Sequence, residues 1–314
     1  MNNENDKKSV SSGLMDGLIK MAKKYRNVIV LSADFGQRIG VEKFSRAFPE
    51  RYFNLGLQEA NMISIATGFC MTGKLPVIVG FGNFWGKAYE QIRNDICLPN
   101  LNVKIVDISV GIAEGQYGVG YQVTGDLACM RALPNMKVLA PADYYEAASS
   151  IETALDDFGP VYFRMSNIEV PCVFDEEYKF YFGKSQILKE GKDVCIFATG
   201  NVLNNCLNVA EIFEKEGVRV SVVNISSIKP IDKDLIIECS KKSKLLVTVE
   251  DHNVVGGLYS AVSEVLIEES PTILKKIGVF DKFTESAKGS DLYKKYELDV
   301  EGIVSQIKGF LKNS

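Results

Sequence analysis

The chain has a single histidine, His252, among 314 residues. A metal site built on several histidines, or a relay of imidazoles, is therefore excluded from this chain acting alone. The seven cysteines (70, 97, 129, 172, 195, 206 and 239) form no CxxC pair, which argues against zinc and against a redox dithiol. Most lie inside apolar segments such as Val194-Cys195-Ile196-Phe197 and read as buried, reduced thiols of a cytoplasmic protein. A net charge of −4 leaves no basic surplus, so neither nucleic acid nor an anionic membrane is expected as a partner. No apolar run approaches the roughly 20 residues that span a bilayer. The first eight residues lack an apolar core and do not read as a signal peptide. Low-complexity tracts and short-period repeats are also missing.

What is present is ordinary for a globular protein, with 46% apolar and 24% charged residues. The length suffices for two domains, each with its own core. Short β-branched runs at 27–31, 76–79, 103–106, 137–139 and 160–163 read as buried strands. Helix-length segments such as 59–71 and 87–96 lie between them. That alternation predicts a parallel sheet with helices on both faces. A break near Pro171 leads into a stretch charged at both ends, read as a linker with an edge strand. A second series follows, with strands at 194–199, 218–223, 245–249 and 273–277 and helices at 202–215, 232–241 and 257–269. The fold class is α/β, with two doubly wound domains: residues 1–176, a linker at 177–190, and a smaller domain at 191–314.

Two local patterns carry chemistry. Gly80-Phe81-Gly82-Asn83-Phe84-Trp85-Gly86 follows a strand, and the next strand ends in Asp107. This layout imitates a dinucleotide-binding turn, in which glycines admit the pyrophosphate and an acid takes the ribose. The third glycine of that pattern is replaced by Trp85, so plain structural glycines compete with nicotinamide binding. The other pattern is Asn54-Leu55-Gly56-Leu57-Gln58-Glu59-Ala60-Asn61-Met62, a strand end turning into a helix that opens on one carboxylate. Taken alone, Glu59 is a helix N-terminal acid favoured by the macrodipole.

The second pattern resembles the segment that carries the cofactor-activating glutamate in the transketolase family of thiamine diphosphate enzymes. The resemblance runs from about Gly13 to Leu311 and is to the free-standing C-terminal half of split transketolases. It extends more distantly to deoxyxylulose-phosphate synthases and 2-oxoacid dehydrogenase β subunits. Ser32-Ala33-Asp34, Glu90-Gln91-Ile92-Arg93-Asn94, Leu98-Pro99-Asn100-Leu101-Asn102, Gly159-Pro160-Val161-Tyr162 and Gly256-Gly257-Leu258 keep the family's order along the chain.

The resemblance implies a pyrimidine-binding domain followed by a transketolase C-terminal domain. It also implies a transferase that moves a two-carbon ketol or acyl unit in carbohydrate metabolism. Glu59 would be the catalytic acid, hydrogen-bonded to N1′ of the aminopyrimidine so that the cofactor's own imino group can take the thiazolium C2 proton. Burial raises the pKa of such an acid and suits it to that role. Phe81 and Phe84 would bracket the pyrimidine ring, against the alternative of ordinary core packing. Asp34 matches an aspartate near the cofactor in relatives, and a helix cap accounts for it as well.

Relatives hold the diphosphate through Mg²⁺ on a Gly-Asp-Gly motif, and Mg²⁺ prefers hard oxygen ligands of that kind. No Gly-Asp-Gly occurs here. The resemblance therefore implies no metal ligand in this chain. It implies a partner subunit that carries the motif and the Mg²⁺, and an α2β2 heterotetramer in which neither chain works alone.

The family pattern breaks at the substrate channel. The family's Gly-Glu-Asp-Gly-x-Thr-His-Gln loop corresponds to Gly115-Gln116-Tyr117-Gly118-Val119-Gly120-Tyr121-Gln122. An upstream family histidine falls at about Ser109. Arg164 is retained near the end of the first domain, but the arginine three places on is Asn167. Candidate substrate residues are therefore Arg164, Gln122, Tyr121 and Arg38, the last as a substitute cation. A bidentate arginine is hard to replace in phosphate recognition. The losses point to an altered substrate: an unphosphorylated or nucleotide-linked sugar, or a 2-oxoacid donor. A 2-oxoacid dehydrogenase- or decarboxylase-like β subunit, a non-catalytic scaffold and a nicotinamide-binding oxidoreductase remain as alternatives. His252, in Glu250-Asp251-His252-Asn253, receives no role.

Overall fold

The computed structural model describes residues 7–34 and 40–312. The chain divides into two compact units, one of residues 1–110 with 130–181 and the other of 111–129 with 182–314. Residues 111–129, which interrupt the first unit in sequence, pack with the second.

The first unit opens with β1 (Lys7–Ser9), which pairs antiparallel with β8 (Glu169–Pro171). Helix α1 (Val10–Lys24) leads into β2 (Val28–Ser32), then α2 (Val41–Ala47), β3 (Tyr52–Asn54) and α3 (Glu59–Met71). Next come β4 (Leu75–Gly80), the short turns α4 (Gly82–Trp85) and α5 (Tyr89–Gln91), and β5 (Lys104–Asp107). Helix α6 (Asp126–Arg131) straddles the division between the units, and β6 (Lys137–Leu139), α7 (Tyr144–Asp156) and β7 (Val161–Arg164) complete the series.

The strands lie in the order β6-β7-β5-β4-β2-β3, and all these pairings are parallel. Strands β2, β4, β5 and β7 are buried at every residue, as expected of apolar runs covered on both faces. Between β2 and β4 the order reverses, and with right-handed crossovers this sends helices to opposite faces of the sheet. The crevice beyond the carboxyl ends at that reversal is where such sheets bind ligands.

The helix expected at 87–96 is not continuous. After α5 the chain widens into a π-helical turn, Ile92–Cys97, in which the Leu98 N–H reaches the Arg93 carbonyl at 2.9 Å. The extra residue per turn puts Ile92, Ile96 and Cys97 together on the buried side.

The second unit contains β9 (Gln186–Lys189), β10 (Val194–Ala198), α8 (Leu203–Lys215), β11 (Val220–Asn224), β12 (Ser227–Lys229), α9 (Lys233–Lys242), β13 (Leu245–Asn253), α10 (Leu258–Glu269), β14 (Leu274–Val279), α11 (Gly289–Lys295) and α12 (Val300–Lys312). Its sheet runs β14-β13-β10-β11-β9, parallel except for β9, the edge strand foreseen in the charged stretch. All seven cysteines are thiols; Cys97, Cys195, Cys206 and Cys239 are buried, while Cys129 is exposed, against the expectation of buried sulfur. No helix among the described residues is long and apolar enough to cross a membrane.

Candidate active site

The candidate residues of the first unit gather at the carboxyl ends of its parallel strands. Asp34 follows β2, Glu59 follows β3, Phe81 and Phe84 follow β4, and Arg164 closes β7. The turn that delivers Glu59 is built by Asn54. Its Oδ1 accepts from the N–H groups of Asp34 (3.0 Å) and Gly56 (3.1 Å), and its Nδ2 donates to Asp34 Oδ1 at 3.1 Å. Gly56 takes φ +72°, a left-handed conformation that glycine adopts without steric cost. The Leu55 N–H reaches the Ser32 carbonyl at 2.9 Å. One amide thus ties the end of β2 to the start of α3. Asp34, itself at φ +64°, belongs to this tie.

Glu59 is the first residue of α3, and Met62, Ile63 and Ala66 beneath it are fully buried. The glutamate is 6% exposed, and its carboxylate has no hydrogen-bond or ion-pair partner among the described residues. This acid is therefore suited to a polar group brought by a ligand.

The glycine turn after β4 has a structural explanation. Asp107 is fully buried; its Oδ1 accepts from Gly82 N–H (2.7 Å) and Ser109 N–H (3.0 Å), and its Oδ2 from the Tyr162 hydroxyl (2.8 Å). A Cβ on residue 82 would lie 1.5 Å from Oδ2, so only glycine fits against the carboxylate. Asp107 is fully engaged in holding the turn, which leaves no acceptor for a ribose. The clamp fixes Phe81 and Phe84 at the mouth of β4, with centroids 6.4 Å apart and planes at 76°. Phe81 is buried, Phe84 half-buried, and the Lys87 ammonium lies 4.8 Å from the Phe84 ring centre.

Arg164 is buried in register with Asp107 on the neighbouring strand. Asn167, at the expected arginine position, accepts from the hydroxyls of Ser9 (3.2 Å) and Ser11 (2.7 Å) and is a structural group. Ser109 is buried, and its N–H is committed to Asp107. Arg38 lies outside the described residues. Tyr121 and Gln122 belong to the second unit: Tyr121 packs 5.9 Å from Tyr117, and Gln122, 7% exposed, donates from Nε2 to the Glu285 carbonyl at 2.9 Å. No cluster of metal-ligating side chains occurs among the described residues.

Sequence reasoning offered Asp107 only as a ribose acid and missed the structural roles of Asn54 and Tyr162. For Asn54 a signal existed, since Asn one residue before a Leu-Gly step at a strand end favours a side-chain-to-backbone turn.

Parallel sheets whose strand order reverses belong to the doubly wound α/β class, which receives ligands beyond the carboxyl ends of its strands. Sequence comparison narrows the class. Residues 6–172 match the transketolase pyrimidine-binding domain, and residues 183–303 match the transketolase C-terminal domain. The chain belongs to the transketolase family. It is 41% identical over 310 residues to a Methanocaldococcus jannaschii protein whose name assigns it as a transketolase C-terminal section, covering 97% of both chains. It is 33% identical to the 6-deoxy-6-sulfo-D-fructose transketolase subunit SqwH of a Clostridium species, covering 92% of this chain and 90% of that one. It is also 31% identical to the 1-deoxy-D-xylulose-5-phosphate synthase of Desulforudis audaxviator, of which it spans 46%. Among solved structures, a split-gene transketolase described as an inactive beta4 tetramer superposes with a TM-score of 0.87 at 38% identity, covering 96% of this chain and 97% of that one. Campylobacter jejuni transketolase shares the fold, with a TM-score of 0.82 at 22% identity over 97% of this chain and 47% of that one.

Proposed function

We propose that this chain is the pyrimidine-binding subunit of a two-chain, thiamine-diphosphate-dependent transketolase-like enzyme that transfers a two-carbon ketol or acyl unit. The observation that carries this reading is Glu59: a residue 6% exposed, without a hydrogen-bond or ion-pair partner among the described residues, opening a helix beyond the carboxyl end of a parallel strand. When bound, thiamine diphosphate supplies a thiazolium centre able to stabilise negative charge on a substrate carbonyl carbon. The residues of this chain suited to hold it are Glu59, for the ring nitrogen, and Phe81 and Phe84, for the ring faces. Glu59 would hold a proton at that nitrogen in a site from which the phenylalanines exclude water. Asp34 acts through Asn54 on the turn before Glu59. The diphosphate and its Mg²⁺ would fall to a partner subunit with a Gly-Asp-Gly motif, in an α2β2 assembly.

The substrate reading is an altered sugar. Neutral Gln116, Tyr117, Gly120 and Tyr121 stand at the family's charged or imidazole positions, and Asn167 is tied to Ser9 and Ser11. Arg164 and Gln122 remain candidates for orienting the substrate. Ordinary turnover of xylulose 5-phosphate with ribose 5-phosphate would overturn the altered-substrate reading.

The decisive experiment is exchange of the cofactor's C2 proton by this chain with its Gly-Asp-Gly-bearing partner, with and without Glu59→Gln. Fast exchange that falls by about 10²-fold or more in the variant is expected. Equal exchange in the two proteins would remove Glu59 from the chemistry and favour a scaffold role.

A further inference from the structure

The second unit has a strand-order reversal of its own. It lies between β10 and β13, with β11 on one side and β14 on the other. The crevice beyond the carboxyl ends at such a reversal is where an open α/β sheet receives a ligand. Its walls here are Asn201, just past β10, and Glu250, Asp251 and His252 at the end of β13, the last three wholly buried. Glu250 is used to cap α10, accepting from Leu258 N–H (2.6 Å) and Tyr259 N–H (2.8 Å).

Segment 111–128 occupies that crevice. Gly111, at φ +66°, rests on the Asp251 carboxylate so closely that a Cβ would lie 2.1 Å from Oδ2. The Asn253 N–H donates to the Thr124 carbonyl at 2.9 Å, and His252 Nε2 lies 3.6 Å from Asp126 Oδ1. The base of the loop is closed by Gly111 and Val123, whose backbones exchange hydrogen bonds of 2.8 and 2.9 Å. Farther out, Ala287 N–H donates to the Gly115 carbonyl at 3.3 Å, Gln122 Nε2 donates to the Glu285 carbonyl, and Gly115 abuts Leu292.

We infer that the second unit holds loop 111–128 in its ligand crevice as a built-in ligand, and that Tyr293, acting through Asp251 on Gly111, is a positioning residue for substrate selection. The inference rests on the reading of residues 115–122 as the substrate loop. Tyr293 donates from its hydroxyl to Asp251 Oδ2 at 2.9 Å, and Asn201 Nδ2 donates to the same oxygen at 3.3 Å. Two donors on one oxygen stop the carboxylate from turning. A fixed carboxylate fixes Gly111, Gly111 fixes Val123, and the excursion between them takes its shape from that closure.

The test is Tyr293→Phe in the full chain, which keeps the ring and removes one hydrogen bond. Leu292→Val, which loosens the contact on Gly115 without touching Asp251, is the second variant. Amide hydrogen exchange on the chain without partner or cofactor should rise by about tenfold within 112–122 and stay unchanged within 59–71. With the partner present, the ratio of kcat/KM for ribose 5-phosphate to that for ribose should shift by about tenfold, while C2-proton exchange is unaltered. Unchanged loop exchange in both variants, with an unchanged ratio and only a lower thermal midpoint, overturns the inference. Because the hydrogen-exchange readout needs neither cofactor nor partner, it stands or falls independently of the Glu59 assignment.

Discussion

At the scale of single residues, the site depends on buried acids of two kinds. Asp107 is spent on structure, with two backbone N–H groups and a tyrosine hydroxyl on its oxygens. Glu59 has no hydrogen-bond or ion-pair partner among the described residues. The difference predicts opposite mutational behaviour. Gly82→Ala should lower unfolding stability by about 3 kcal/mol, since its Cβ meets the Asp107 carboxylate and the clamp must open; chemical denaturation measures this. Glu59→Gln should leave stability within about 1 kcal/mol of the parent while removing activity. Asn54→Ala removes the tie between Asp34 and Gly56. It should slow C2-proton exchange several-fold at a stability loss of about 1 kcal/mol, because it displaces Glu59 without removing it.

Lys104 gives a pH prediction at the same scale. It is wholly buried at the start of β5 and donates to Asn102 Oδ1 (2.7 Å) and to the carbonyls of Asp157 (3.1 Å) and Gly159 (2.7 Å). Burial pushes its ammonium down to about 7, partly opposed by the nearby Asp157 charge. Below pH 7 the folded and unfolded chains both carry the proton, so the cost of burying the charge is present in full. Between pH 7 and the unfolded value near 10.4 the unfolded chain binds one more proton, and stability rises by about 1.4 kcal/mol per pH unit. Wild-type stability measured relative to Lys104→Met should therefore climb from pH 7 to pH 9; a flat difference would contradict the assignment.

At the scale of elements, helix starts are where side chains decide geometry. Asp143 caps α7 by accepting from Glu146 N–H at 2.8 Å, and Glu146 returns the bond to Ala142 N–H at 2.8 Å. The second Asp143 oxygen takes the N–H groups of Val173 (2.6 Å) and Phe174 (2.7 Å), fastening the chain beyond β8 to the helix start. Asp143→Ala leaves three buried or half-buried donors without acceptors. It should cost about 3 kcal/mol or more, read as a lower denaturation midpoint. The Asp-x-x-Glu spacing of this cap is visible in the sequence. The π-helical turn at Ile92–Cys97 is not, because apolar periodicity reports which residues face inward and not how many occupy a turn.

At the scale of the whole molecule, both sheets reverse strand order. The first unit presents Glu59, Phe81 and Phe84 at strand ends, and the second receives residues 111–128. No cluster of three or more His, Cys, Asp or Glu side chains that could hold a metal ion occurs among the described residues. On the two-chain reading proposed above, the chain by itself should show no thiamine-dependent turnover, and activity should appear on titration with a Gly-Asp-Gly-bearing partner, reaching a plateau at one partner per chain. Activity of the purified chain alone would contradict the two-chain reading.

The sequence alone determined which segments are buried and in what rhythm. Runs such as Val28–Ser32 and Val161–Arg164 became fully buried parallel strands, α3 begins at the glutamate singled out for it, and the family is legible in the order of short motifs. These are properties of neighbouring residues, and local propensity and burial period encode them. Only the tertiary structure decided which acids are committed to holding the fold. Asp107 looks like a ribose ligand along the chain until Tyr162, 55 residues away, is seen on its oxygen. Residues 111–129 follow β5 of the first sheet, yet contacts with Asp251, Asn253 and Glu285 assign them to the second unit. Hydrogen bonds between residues far apart in sequence set these outcomes, and such pairings leave no period or composition to read.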